Sequence, residues 1–179
     1  MATRQLKVLT EVGTHGVGSL NVIQVKTLSG GAKVIGTDVD NYTLVEDAGF
    51  NADGDRTVKQ LSAITNKAYL IASPEIRNMG EALVDFYNGV GEFARIVIPE
   101  PGYTRFETSS YSLNTGVSEV AKGHVAHFDP ATKKFIISVA GTPHTDYAGS
   151  SAQFLVVASE DETGYTLGAP TVRLEVSKA

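Results

Sequence analysis

Residues Ser73 to Glu107, SPEIRNMGEALVDFYNGVGEFARIVIPEPGYTRFE, compress a helix pattern, a strand pattern and a hard turn into one unit. Ser73 suits an N-cap, Pro74 suits the first helical position, and Glu75 sits at the positive end of the helix dipole. Ile76, Met79, Leu83 and Phe86 trace one apolar stripe, with Arg77, Glu81, Asp85 and Asn88 mainly on other faces. The spacing predicts an amphipathic helix of about four turns near residues 74-88, stopped by Asn88-Gly89 and Gly91. Phe93 to Ile98 then reads as a strand, closed by Pro99-Glu100-Pro101-Gly102.

Around this unit the chain reads as strands and turns. Eighteen Gly, six Pro and many Thr and Ser punctuate short runs of Val, Ile, Leu, Phe and Tyr. Strands are expected at 6–12, 20–28, 42–45, 68–72, 117–128, 134–140, 153–159 and 172–176, and with less clarity at 58–65. KGHVAHFDPATKKFIISV reads as a β-hairpin turning at Asp129-Pro130-Ala131-Thr132, and Val172, Leu174 and Val176 alternate with Arg173 and Glu175, the pattern of a sheet with one wet face. The expected class is mainly β (α+β): β-rich, one amphipathic helix, and a C-terminal β-barrel- or sandwich-like part. Residues 1-110 form the mixed part and residues 111-179 the all-β part, with a single shared core left open.

At 179 residues the chain can bury roughly 70% of its unfolded surface without staples. There is no Cys, which excludes thiolate chemistry and disulfides. Fifteen Lys and Arg against 20 Asp and Glu give a formal charge of -5, a poor match to the phosphate neutralisation that sequence-independent nucleic-acid binding requires. The first ten residues lack the apolar run of a signal peptide, and no apolar stretch approaches 18 residues, so neither nucleic acid nor membrane is an expected partner.

Constellations that could carry chemistry are weak in the sequence. Gly13 to Gly18 fits neither dinucleotide nor P-loop spacing, and no helix pattern follows it. Asn51-Ala-Asp53-Gly54-Asp55 begins like a calcium loop and then fails at Arg56 and Ser62, which leaves a polar turn between strands. Asp38 and Asp40 share a face without an evident partner, and Glu160 to Gly164 reads as a solvated acidic loop. His124 and His127 are three apart on a strand and point to opposite faces, while Asp129, His144 and Asp146 add oxygen and nitrogen donors whose mutual geometry the sequence does not fix. No catalytic, cofactor or metal site is expected from these residues. A hydrolase would need His124, Asp129 and a Ser to converge in a cleft.

The run GEALVDFYNGVGEFARIVIPEPGYTRFETSSYSLN, Gly80 to Asn114, resembles the small head decoration, cement or auxiliary capsid proteins of tailed bacteriophages, and a looser similarity reaches upstream through TVKQLSAITNKAYLIASPE and into the C-terminal part. The resemblance implies a non-enzymatic virion protein, made in the host cytoplasm, that binds the major capsid protein on the outer shell surface, often as a small homo-oligomer. No cofactor or catalytic residue comes with it. Tyr103, Phe106 and Tyr111 are the candidate contacts with the shell or with other copies. A phage tail or baseplate component, and a carbohydrate-binding adhesin module, are the alternatives.

Overall fold

The computed structural model describes residues 18–20, 25–74, 86–158 and 170–179, and every regular element among them is a strand. Of the helix expected near 74-88, residues 75–85 lie outside the described residues. The part that is described corrects the expectation: Phe86 has no helical conformation, and Tyr87–Asn88 form a strand, β7, paired antiparallel with β3, Val39–Asp40. The described protein is all β rather than α+β. A ladder partner 49 residues away, which also receives the Asn88 side-chain amide at the Val39 carbonyl, overrides the local apolar stripe at its C-terminal end.

Among the described residues, the larger sheet has seven strands in the order β1 (Gly18–Leu20), β10 (Arg105–Thr108), β15 (Val172–Lys178), β14 (Gln153–Ala158), β12 (Val125–Asp129), β13 (Lys134–Ser138) and β11 (Tyr111–Leu113). All pairings are antiparallel except β11 with β13. The hairpin read from the sequence forms as β12 and β13, its turn closed by the Lys133 N–H donating to the Asp129 carbonyl at 2.8 Å. Only Ser109 and Ser110 link β10 to β11, which nevertheless lie five positions apart in the sheet. A flat sheet would separate them by roughly 24 Å, more than twice what that short link spans. The sheet therefore curls on itself, barrel-like.

Its interior is aromatic. Phe106 on β10 lies 5.6 Å from Phe135 on β13 and 5.8 Å from Phe154 on β14, measured between ring centroids. Phe135 also meets Phe154 at 5.1 Å and Phe128 at 5.2 Å, both edge-to-face, the arrangement that aromatic quadrupoles favour. All four rings are buried. The outer face of the same strands is charged: Arg105 pairs with Glu175, and Arg173 with Glu107, directly across the β10–β15 ladder.

The second sheet has six strands among the described residues, β8 (Phe93–Ala94), β2 (Ala32–Val34), β5 (Arg56–Gln60), β4 (Thr43–Phe50), β6 (Tyr69–Ile71) and β9 (Ile96–Val97). One face contributes Leu44, Leu70 and Val97 to the phenylalanine core, so the two sheets share it. The opposite face carries Val34, Val45, Val58, Tyr69, Ile71 and Ile96 in a second cluster with Val39 of β3.

Glu46 on β4 holds the chain that leaves β5. Its carboxylate accepts from the Ser62 N–H at 3.1 Å, the Ser62 hydroxyl at 2.9 Å and the Asn66 amide at 2.6 Å, with Lys59 at 3.1 Å. Burial alone would raise its pKa, but these donors outweigh it and hold the group at about 2. The folded pKa lies below that of the unfolded chain, so the contribution is complete above the unfolded value of 4.5 and is lost as pH falls towards 2. Glu46→Gln is expected to lower unfolding free energy by up to about 3 kcal/mol at pH 7 and to converge on the parent near pH 2, as read by urea unfolding across pH. Phe135→Ala, which opens a cavity where three rings meet it, is expected to cost about 3–5 kcal/mol in the same assay.

Candidate functional site

The hairpin of β4 and β5 turns through Asn51 to Asp55. The Asn51 side-chain carbonyl accepts from the N–H groups of Asp53 at 3.0 Å and Asp55 at 2.8 Å, and Gly54 takes the left-handed conformation at φ 85°. The Asp55 carboxylate is engaged by Asn51 at 3.1 Å and Lys33 at 3.3 Å, and these two contacts draw its pKa down. The calcium-like spacing thus builds the polar turn expected between strands.

Beside this turn two aromatics face solvent. Phe50, at the end of β4, and Phe93, on the edge strand β8, are 66% and 58% exposed. They line a groove of about 300 Å³ whose other walls include Gly30, Gly31, Asp55 and Arg56. The Arg56 guanidinium stands 4.7 Å from the Phe50 ring centre and the Lys33 ammonium 5.5 Å from that of Phe93, so each ring carries a cation on its face. Gly31 is fixed by space as well as by its φ of 72°: a Cβ there would lie 2.6 Å from the Ala94 carbonyl oxygen. The groove joins apolar area to fixed charge, a combination suited to a protein surface or a sugar face.

The three candidate contacts read from the sequence separate. Tyr103 is 51% exposed on the turn after Pro101, beside the Lys26–Glu100 ion pair, where it lines a second groove of about 330 Å³. Phe106 is fully buried in the aromatic core and presents no surface to a partner. Tyr111 is half-buried against that core. Phe50 and Phe93 were not singled out by sequence reasoning; the signal available was a Phe beside a turn residue at Gly49-Phe50-Asn51 and at Glu92-Phe93.

The hydrolase constellation does not assemble. His124 precedes β12 and accepts from the Ala121 N–H at 3.4 Å, whereas Asp129 ends β12 and caps its own turn, bonded by Ala131 and Thr132. Five strand residues hold the two roughly 17 Å apart. Glu160 to Gly164 and most of Gly13 to Gly18 lie outside the described residues.

A different cluster does form. Ala126 and Phe128 of β12 point into the core, so His127 points to the outer face. The loop between β13 and β14 folds back over that face: the His144 N–H donates to the Ser138 hydroxyl at 3.1 Å, the Gln153 amide to the Tyr147 carbonyl at 2.8 Å, and the Ser151 N–H to the Ile64 carbonyl at 2.7 Å. His144 consequently stacks on His127, with centroids 5.0 Å apart and rings inclined by 25°, and Asp146 approaches the His144 Nδ1 at 3.6 Å. His127 is 1% exposed, and neither of its nitrogens has a hydrogen-bond partner among the described residues. Burial pushes its pKa down, and the neighbouring His144 adds to the effect against a smaller pull from Asp146 and Asp129. Among the described residues, this is the group of His and carboxylate donors close enough to share one ion.

By comparison with known sequences, this chain, all β among the described residues, belongs among phage-derived proteins. The chain is a member of the YonC prophage protein family, which it matches over residues 11–177. The SPbeta prophage-derived uncharacterized protein YonC of Bacillus subtilis (strain 168) is 61% identical to it over 179 residues, covering 100% of both chains. No solved structure matches it.

Asp40, which shared a face with Asp38 in the sequence reading, is buried on β3 with neither carboxylate oxygen hydrogen-bonded among the described residues. Asp38 instead accepts from the Val90 N–H at 2.9 Å. Burial raises the Asp40 pKa to about 7, only partly opposed by Lys133. The raised folded pKa makes Asp40 destabilising as pH climbs from 3.8 to about 7. Asp40→Asn is expected to leave stability unchanged near pH 3 and to increase it at pH 8 by on the order of 4 kcal/mol, measured by thermal and urea unfolding at both pH values.

Proposed function

We propose that this prophage-family chain is a non-enzymatic virion structural protein that binds the outer surface of the shell formed by the major capsid protein and stabilises it. The observation that carries the reading is the exposed aromatic surface: Phe50 at the end of central strand β4 and Phe93 on edge strand β8, lining one groove, with Tyr103 on a separate turn. Those residues spend apolar area on solvent, which a folding requirement alone does not explain. The polar groups around them support the same reading. Lys33, Asp55 and Arg56 are paired into the fold or onto the rings, an arrangement for recognition rather than for turnover. A ligand that binds only the assembled shell stabilises it by mass action, and repetition over a lattice strengthens attachment.

The groove of Phe50 and Phe93, flanked by Arg56 and Asp55, also supports a second reading as a carbohydrate-binding module, in which an aromatic face receives a sugar ring. The tail or baseplate alternative shares the composition and would differ in self-assembly into rings or tubes.

Mixing the purified protein with expanded shells of its cognate major capsid protein, then sedimenting and imaging the pellet, tests the proposal. Co-sedimentation with regular density at symmetry positions is expected, and Phe93→Glu or Phe50→Glu is expected to weaken it at least tenfold without loss of fold, because both rings are exposed. Unbound protein beside intact shells would overturn the reading, and saturable binding to a glycan array would replace it with the second.

A further inference from the structure

We propose that His127, His144 and Asp146 form a binding site for a borderline transition-metal cation of the zinc class, which fastens the loop between β13 and β14 to the outer face of the barrel-like sheet. One ligand atom from each residue lies within 4.8 Å of the other two. Two imidazoles and one carboxylate make a donor set suited to zinc and its neighbours; calcium and magnesium prefer oxygen alone. The fourth position is left for water.

His127 argues for a ligand independently of the cluster. A buried imidazole carries a donor and an acceptor, and leaving both unmet costs free energy that a core phenylalanine would not. Among the described residues His127 has neither satisfied, although it is 1% exposed. One of its nitrogens lies within 4.8 Å of a donor atom of His144 and of Asp146, which stand on an accessible loop. Ligation asks that loop to turn the stacked His144 ring so that its lone pair meets the ion, since bonds of about 2.0–2.1 Å bring ligand atoms to roughly 3.3 Å of one another in a tetrahedral site. The loop itself is already pinned at both ends, by Ser138 on one side and by Ser151 on the other, so binding orders little chain.

Calorimetric titration of tag-free, chelator-treated protein with zinc chloride, paired with thermal unfolding, is the test. One equivalent should bind, and zinc at 100 times Kd should raise Tm by roughly 5–10 °C. His144→Ala and Asp146→Asn lie on the exposed loop and leave the core untouched, so their metal-free Tm should stay within a few degrees of the parent. Zinc affinity should nevertheless fall at least about 100-fold in the first and about tenfold in the second, while His124→Ala binds as the parent does. The absence of both heat and Tm shift in the parent protein up to about 100 µM zinc would overturn the proposal. So would parental affinity in His144→Ala, or loss of binding in His124→Ala alone. His127→Phe serves as a further check, since it should fold and lose the zinc response.

Discussion

Curling of the seven-stranded sheet around four phenylalanines is the constraint on which the rest of the protein depends. The two-residue link from β10 to β11 cannot span a flat sheet, so curling is obligatory, and curling is favourable because it packs Phe106, Phe128 and Phe154 around Phe135. Leu44, Leu70 and Val97 of the six-stranded sheet complete that interior, which fixes one sheet against the other. The outward direction of His127 and the burial of Phe106 both follow from the same inside-outside alternation.

A chain of polar contacts runs from the second sheet to the loop over the first. Glu46 holds Ser62 and Asn66; the Asn66 carbonyl accepts from the Ser151 hydroxyl, and the Ile64 carbonyl from the Ser151 N–H. Ser151 lies just beyond the segment that carries His144 and Asp146. The low pKa of Glu46 keeps this brace ionised over the whole neutral range, whereas buried Asp40 works against stability there. The two carboxylates sit on strands consecutive in the chain but in different sheets, and their opposite behaviour follows from the donors available: several for Glu46, none for Asp40 among the described residues.

Strands with strict alternation were legible in the sequence. Val172, Leu174 and Val176 point inwards opposite Arg173 and Glu175, and the Asp129 turn closes its hairpin, because period and turn chemistry are local signals. The stripe ending at Phe86 misled at its C-terminal end, since the pairing of Tyr87–Asn88 with Val39–Asp40 is long-range and leaves no local trace. Of the surface, Tyr103 was legible because a Pro-Gly turn exposes the residue after it, while Phe106, three residues later, was not distinguishable from Tyr103. The histidine cluster was illegible for a different reason: the loop that brings His144 to His127 is placed by hydrogen bonds to Ser138, Tyr147 and Ile64, and spacing encodes none of them.

The charged outer face of β10 and β15 carries more than solubility. In the native ladder Arg105 faces Glu175 and Glu107 faces Arg173. A slip of one residue would expel Phe106 from the core, so the dangerous error is a slip of two, which keeps every apolar side chain inside. That slip sets Arg105 against Arg173, or Glu107 against Glu175, like charges directly opposed in either direction. The four residues act as a proofreading code, one that rejects the misaligned barrel which hydrophobic burial alone would accept.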